Sequence, residues 1–335
     1  MKFKCISGSD DLRKWSRLVG YVVLIGLLVI VPQFVRDPRW MHLVIMTGLY
    51  IILAGGLRLI MSTGQVSFAH AAFWGIGAYT STLLVMRLGV SFWIALPLSG
   101  LVGAIVASLI GYPCLRLKGP YFFLVTMVVG EILRLFLTNS VDFFGGDAGI
   151  SSIPSPNRIR IGNWAIAFPY RSVNYYYLML VGLFVSLFVY YRLERSRFGM
   201  ICSGVRADGS LSESLGVNVM KYKLTAFVVG SLLASLVGSF FAHYTTFISP
   251  GFFTFNESTI MLIMVVIGGL ESTTGAIIGV ILITVLTELT REFSKYEIIV
   301  YGAALVLVFR FAPGGIFDLY RKFISRLRSH RASVA

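Results

Sequence analysis

Arg206-Ala-Asp-Gly-Ser-Leu-Ser-Glu-Ser-Leu-Gly-Val217 lies in the middle of a polar segment, Arg192 to Lys223, that interrupts an otherwise apolar chain. A segment of roughly 30 residues is too long for an ordinary connection between helices. The quoted stretch reads as one short amphipathic helix. Ser210 and Glu213 have the S-x-x-E spacing of a capping box, and Gly216 is placed to end the helix in a left-handed turn. Leu211 and Leu215, four apart, share one face and meet water unless another protein covers them. A membrane chain that presents a small capped helix on a stalk is built to hand something to a partner.

On either side of this segment the chain suits lipid. It has 335 residues, 56% hydrophobic and 13% charged, with a mean hydropathy of +0.81. A soluble domain carries about 25% charged residues. Apolar runs near the ~20 residues of one bilayer crossing recur, at 18–35, 41–60, 68–86, 92–112, 120–138, 173–191, 224–243, 258–270, 276–290 and 297–312. The expected fold class is an all-α polytopic membrane protein of about ten transmembrane helices, some interrupted. The 34 glycines suit the small-residue contacts by which membrane helices approach closely.

The net charge of +14 describes topology rather than nucleic-acid binding. With the N-terminus inside, most of the 29 Lys and Arg residues fall in 1–17, 192–223 and 321–331, all on the inner side. This expectation divides the chain into a basic cytoplasmic N-terminus (1–17), a transmembrane domain (18–313) with a cytoplasmic loop at 192–223 and an outer loop at 139–172, and a basic cytoplasmic tail (314–335). The first span has no small-residue cleavage site and is followed by Val35-Arg-Asp-Pro-Arg-Trp40, as expected of a retained anchor. Cys5, Cys114 and Cys202 all fall on the reducing side, and no spacing suggests a metal site or a disulfide.

No Gly-x4-Gly-Lys-Ser/Thr loop occurs, so the chain is not its own P-loop ATPase. No His-x3-His or Cys/His cluster supports hydrolase chemistry either. Two Gly, Ser and Thr-rich breaks interrupt the apolar pattern: Gly55 to His70, running on to Tyr79, and Val266 to Ala276. Non-helical backbone at membrane depth is tolerated only where protein buries it or water lines it. Glycine-interrupted segments point toward a translocation site. The candidate path residues are Gly64, Gln65, Ser67, His70, Gly75 and Gly77 of the first break, Gly268 and Gly269 of the second, and Glu131. Two readings stand for Gln65, Ser67 and His70: they satisfy freed backbone groups, or they face the solute. Two also stand for Glu131 and Arg134, three apart on one helix face: a helix-local ion pair, or a polar lining for a zwitterion. Glu271 and Glu288 lie near span ends, within reach of water. The outer segments 139–172 and Tyr244 to Glu257 read as turns that cover the pore mouth or receive an external partner.

These motifs together resemble the permease subunits of ATP-driven importers for branched-chain amino acids, of the LivM type. The resemblance is carried by Thr63-Gly-Gln-Val-Ser-Phe-Ala-His-Ala-Ala-Phe-Trp-Gly-Ile-Gly-Ala-Tyr79, Leu115-Arg-Leu-Lys-Gly-Pro-Tyr-Phe122, Glu131-Ile-Leu-Arg-Leu135 and Phe144-Gly-Gly-Asp-Ala-Gly-Ile150. Further on it includes Glu213-Ser-Leu-Gly-Val-Asn-Val219, Tyr222-Lys-Leu-Thr-Ala-Phe227, Phe247-Ile-Ser-Pro250 and Val266-Ile-Gly-Gly-Leu270. Departures are Ala69 for a usual glycine, Glu271-Ser-Thr-Thr-Gly-Ala276 for a turn that usually ends in Gly-Pro, Arg58 at a position often uncharged, and Ser212 and Ser214 for alanines. The resemblance implies that Ser210, Leu211, Glu213, Leu215 and Gly216 belong to a coupling helix seated in a separate ATP-binding subunit. It also implies a second, related permease chain, two ATP-binding subunits and an extracytoplasmic solute-binding protein, in a bacterial inner membrane with both termini cytoplasmic. No cofactor is expected on this chain, ATP being used by the partners. Closely similar subunits serve urea and short-amide importers, and an ion-coupled secondary transporter is the rival of another class.

Overall fold

Small residues on facing helices set the architecture, because lipid offers no hydrophobic drive between helices and close backbone approach supplies dispersion contacts instead. The computed structural model describes residues 37–117, 119–161, 164–169 and 172–290, together with 26, 28–33 and scattered positions between 299 and 310. Its long helices are α1 (Pro38–Met61), α2 (His70–Leu88), α3 (Phe92–Cys114), α4 (Pro120–Asn139), α6 (Val173–Glu194), α9 (Val219–Thr245), α10 (Phe255–Gly268) and α11 (Thr273–Thr290). Shorter ones are α5 (Val141–Phe144), α7 (Arg197–Ala207) and α8 (Gly209–Ser214). These match eight of the ten spans read from the sequence, which gave about ten; the spans at 18–35 and 297–312 lie largely outside the described residues.

Seven of the described helical segments are long and apolar enough to cross a membrane. α2 is not among them, and its position explains why. It packs between α9 and α3, so its hydroxyls need partners more than they need lipid solubility. Ser81 bonds His243 Nε2 at 3.0 Å and accepts from Ser239 at 2.7 Å, while Ser235 of α9 donates to the Phe73 carbonyl at 2.8 Å. Where the helices cross, an added Cβ on Gly77 would overlap the Ser235 backbone, and one on Gly238 the Trp74 carbonyl. α9 is thus the central post, and α1 reaches it where Gly56 meets Gly230.

The segments 139–172 and 245–254 are not wholly irregular. Strand β1 (Ile150–Ser151) pairs antiparallel with β4 (Phe247–Ile248), Ile150 opposite Ile248, which ties the 139–172 loop to the turn after α9. A small hairpin, β2 (Ile159–Ile161) with β3 (Trp164–Ile166), rises from the same loop. Arg87 at the end of α2 donates to the Asp142 and Phe143 carbonyls at 2.6 and 3.0 Å, and Trp93 at the start of α3 to the Asn157 carbonyl at 3.0 Å. The loops therefore cap one end of the bundle. α7, α8 and the second break lie at the other, where the first break begins at Gly64 beside Arg206 before running up into the bundle to Phe68 and Thr126 of α4.

Candidate functional site: two helix breaks and a capped loop helix

At the end away from the loops, Asp208 separates α7 from α8. Its extended backbone (φ −155°, ψ 107°) turns the chain between them, and its carboxylate accepts the Leu211 N–H at 3.0 Å. This corrects two expectations. The segment 206–217 is the end of one helix and a second six-residue helix, and its N-cap is Asp208, with Ser210 and Glu213 inside the helix rather than forming a capping box. The reason is local: α7 already ends at Ala207, so the first residue free to adopt cap geometry is the next one, and Asp is as good a cap as Ser. The other end agrees with the sequence. Gly216 is left-handed (φ +83°), its N–H bonds the Glu213 carbonyl at 2.9 Å, and Val217 reaches back to Ser212 at 3.0 Å.

Leu211 and Leu215 are 60% and 76% exposed, so the apolar face of α8 stands uncovered in this chain, as the spacing required. Met200 of α7, 75% exposed, adds a third large apolar side chain that the spacing argument did not single out. Behind this surface the segment is firmly seated. Val205 and Cys202 are buried, and burial pushes the Cys202 thiol up to about 11, so it stays protonated and unreactive at neutral pH.

The first break joins α1 to α2. Gly64 is left-handed (φ +82°) and exposed, while Gln65, Ser67 and His70 are buried. Two hydroxyls from other helices serve its backbone: Thr126 of α4 accepts from the Phe68 N–H at 3.2 Å, and Ser258 of α10 from the Ala71 N–H at 3.0 Å. Ser67 itself accepts the Ala69 N–H at 3.3 Å. Gly75 and Gly77 sit at contacts within the chain, against the Phe253 ring and the Ser235 backbone.

The second break is the turn of a helix hairpin. α10 has 14 residues and, with the short turn Pro250–Phe252 before it, makes a 19-residue apolar span from Pro250 to Gly268. Gly268 packs on the Gly275 backbone, and Gly269 (φ +113°) reverses the chain toward α11. Arg58 of α1 reaches this turn: it donates to the Leu270 carbonyl at 3.3 Å and to Thr273 Oγ1 at 2.8 Å, and it pairs with Glu194. A cavity of about 710 Å3 opens beside this cluster, lined also by Arg206 and Glu271.

Glu131 lies apart from both breaks, on α4. Arg134 grips it with Nε at 2.9 Å and Nη2 at 2.5 Å, the two side chains 42% and 23% exposed. The helix-local ion pair read from the sequence is present, on a helix whose face turns away from this chain's core. At the loop end a cavity of about 640 Å3 opens between α1, α10 and α11, lined by Arg39, Glu257 and Glu288. There Arg39 pairs with Glu288, and Tyr50 donates to Glu257 at 2.9 Å. Of these groups only Glu288 stood out in the sequence, because the others fall in separate helices.

Residues 40–309 match the family described as the branched-chain amino acid transport system permease component. The chain belongs to that family. It is 36% identical to the high-affinity branched-chain amino acid transport system permease protein LivM of Salmonella typhimurium, over 92% of this chain and 77% of the relative. It is 34% identical to LivM of Escherichia coli, over 90% and 75%. LivH of Escherichia coli, a second permease protein of that name, is 25% identical over 80% of this chain and 90% of its own. No solved structure matches the chain. The permease is a multi-pass membrane protein.

Proposed function

We propose that this permease forms half of the translocation path of an ATP-driven importer for branched-chain or closely related amino acids, and that α7 and α8 couple it to an ATP-binding subunit. The observation that carries the reading is the uncovered pair Leu211 and Leu215 on a helix closed at both ends, by Asp208 and by Gly216. A rigid six-residue helix with one exposed leucine on its surface and a second at its C-cap makes a lever only when a second protein encloses it. The similarity to both LivM and LivH supports a related permease chain as the other half.

The orientation proposed places α8 and both termini in the cytoplasm of a bacterial inner membrane, with 139–172 and 245–254 outside, where a solute-binding protein delivers the solute. The outer cavity at Arg39, Glu257 and Glu288 then opens toward that protein, and the breaks flank the inner exit. The half-exposed Glu131–Arg134 pair suits a face covered by the partner chain or bathed by the path, since charge facing hydrocarbon is costly. Closure of two ATP-binding subunits moves α8, and the helices attached to it switch between outward-open and inward-open states. Replacing Leu211 and Leu215 together by Asp is expected to abolish co-purification of the ATP-binding subunit while the permease still inserts. Normal recovery of that subunit with the double variant overturns the reading.

A further inference from the structure

Among the described residues, Arg58 is the only Lys, Arg, Asp or Glu in the buried core, its side chain 4% exposed. A guanidinium held there has lost its water and depends on fixed partners for compensation. It finds them on two other parts of the chain. Nη2 pairs with the Glu194 carboxylate and donates to Thr273 Oγ1 at 2.8 Å, while Nη1 donates to the Leu270 carbonyl at 3.3 Å. The Thr273 hydroxyl in turn donates to Glu194. One cation thus closes a three-way junction.

Each arm of that junction has a different mechanical place. Arg58 is in the last turn of α1, just before the first break. Leu270 lies in the second break, and Thr273 opens the helix that follows it. Glu194 is the final residue of α6, from which the chain passes straight into α7 and α8. Gly199 of α7 packs so closely on the Glu194 backbone that an added Cβ would overlap it, so α7 has no slack against the end of α6. Gly64 of the first break faces Arg206 of α7, its Cβ position 3.5 Å from the Arg206 Cα.

We propose that the Arg58–Glu194–Thr273 junction transmits movement of α7 and α8 to both helix breaks. Its members are positioning residues that keep ATP hydrolysis tied to solute movement. The inference rests on the importer reading and adds to it the residues through which force passes. The junction has room to switch: Arg206 and Glu271 line the cavity beside it, offering second partners to Glu194 and Arg58 when α7 shifts. Coupling between distant sites needs such an element with two discrete arrangements.

The test uses the whole importer in proteoliposomes, with both permease chains, the ATP-binding subunits and the binding protein, and reads labelled leucine taken up per ATP hydrolysed. Arg58→Gln and Glu194→Gln are each expected to lower that ratio about tenfold while hydrolysis itself stays within about threefold. The double variant recovers part of the ratio, because neither charge is left without its partner. Thr273→Val opens the junction without stranding a charge and is expected to lower the ratio about threefold, which keeps the test decisive if Arg58→Gln does not assemble. A wild-type ratio in Arg58→Gln or in Thr273→Val overturns the proposal, and so does a parallel fall of uptake and hydrolysis, the mark of simple destabilisation. ATP-dependent uptake by the wild-type assembly checks the importer reading separately.

Discussion

Asp208 serves two helix ends at once. Its N–H closes α7 on the Gly204 carbonyl at 3.0 Å, and its carboxylate opens α8 on the Leu211 N–H. Asp208→Ala is expected to cost α8 about 1 kcal/mol, against less than about 0.5 kcal/mol for Ser210→Ala. Hydrogen exchange at the Leu211 amide, slow in the parent and faster only in Asp208→Ala, is the measurement, and equal exchange in both variants refutes the assignment. The two candidate caps look alike in the sequence. Choosing between them requires knowing where the preceding helix stops, and α7 stops at Ala207.

Between elements, the crossing of α2 and α9 is among the tightest contacts of the bundle. Gly77 faces the Ser235 backbone with no space for a methyl group, whereas Gly182 of α6 has nothing within 4 Å of its Cβ position. Gly77→Ala is therefore expected to destabilise the purified permease by about 1–3 kcal/mol, and Gly182→Ala to leave it nearly unchanged, as read from thermal unfolding in detergent. An unshifted midpoint for Gly77→Ala contradicts the contact. A glycine that packs and a glycine that lines a pore are the same letter. The sequence therefore marked Gly75 and Gly77 as path candidates on composition alone, and their positions in the bundle place them at ring and backbone contacts. The breaks themselves were legible, because Gly, Ser and Thr concentrated in an apolar run cannot continue a membrane helix without cost.

For the whole molecule, the orientation proposed from Lys and Arg placement makes a direct demand. A cysteine placed at Glu213 and one placed at Asn157, both exposed positions at opposite ends of the bundle, should react from opposite sides of intact cells. An impermeant maleimide added outside is expected to label the Asn157→Cys protein and spare the Glu213→Cys protein; the reverse pattern inverts the topology and removes α8 from the cytoplasm. By itself the sequence determined that this is a polytopic helical permease, where eight of its helices run, and that Leu211 and Leu215 are presented without cover, because hydropathy, span length and side-chain spacing are local properties of the chain. Only the tertiary structure decided which hydroxyls serve the first break, that the loops at 150–151 and 247–248 join, and that Arg58 meets a threonine 215 positions away. Those contacts arise when helices far apart in the chain bury each other's polar groups, and no stretch of residues read alone contains the partner that burial will supply.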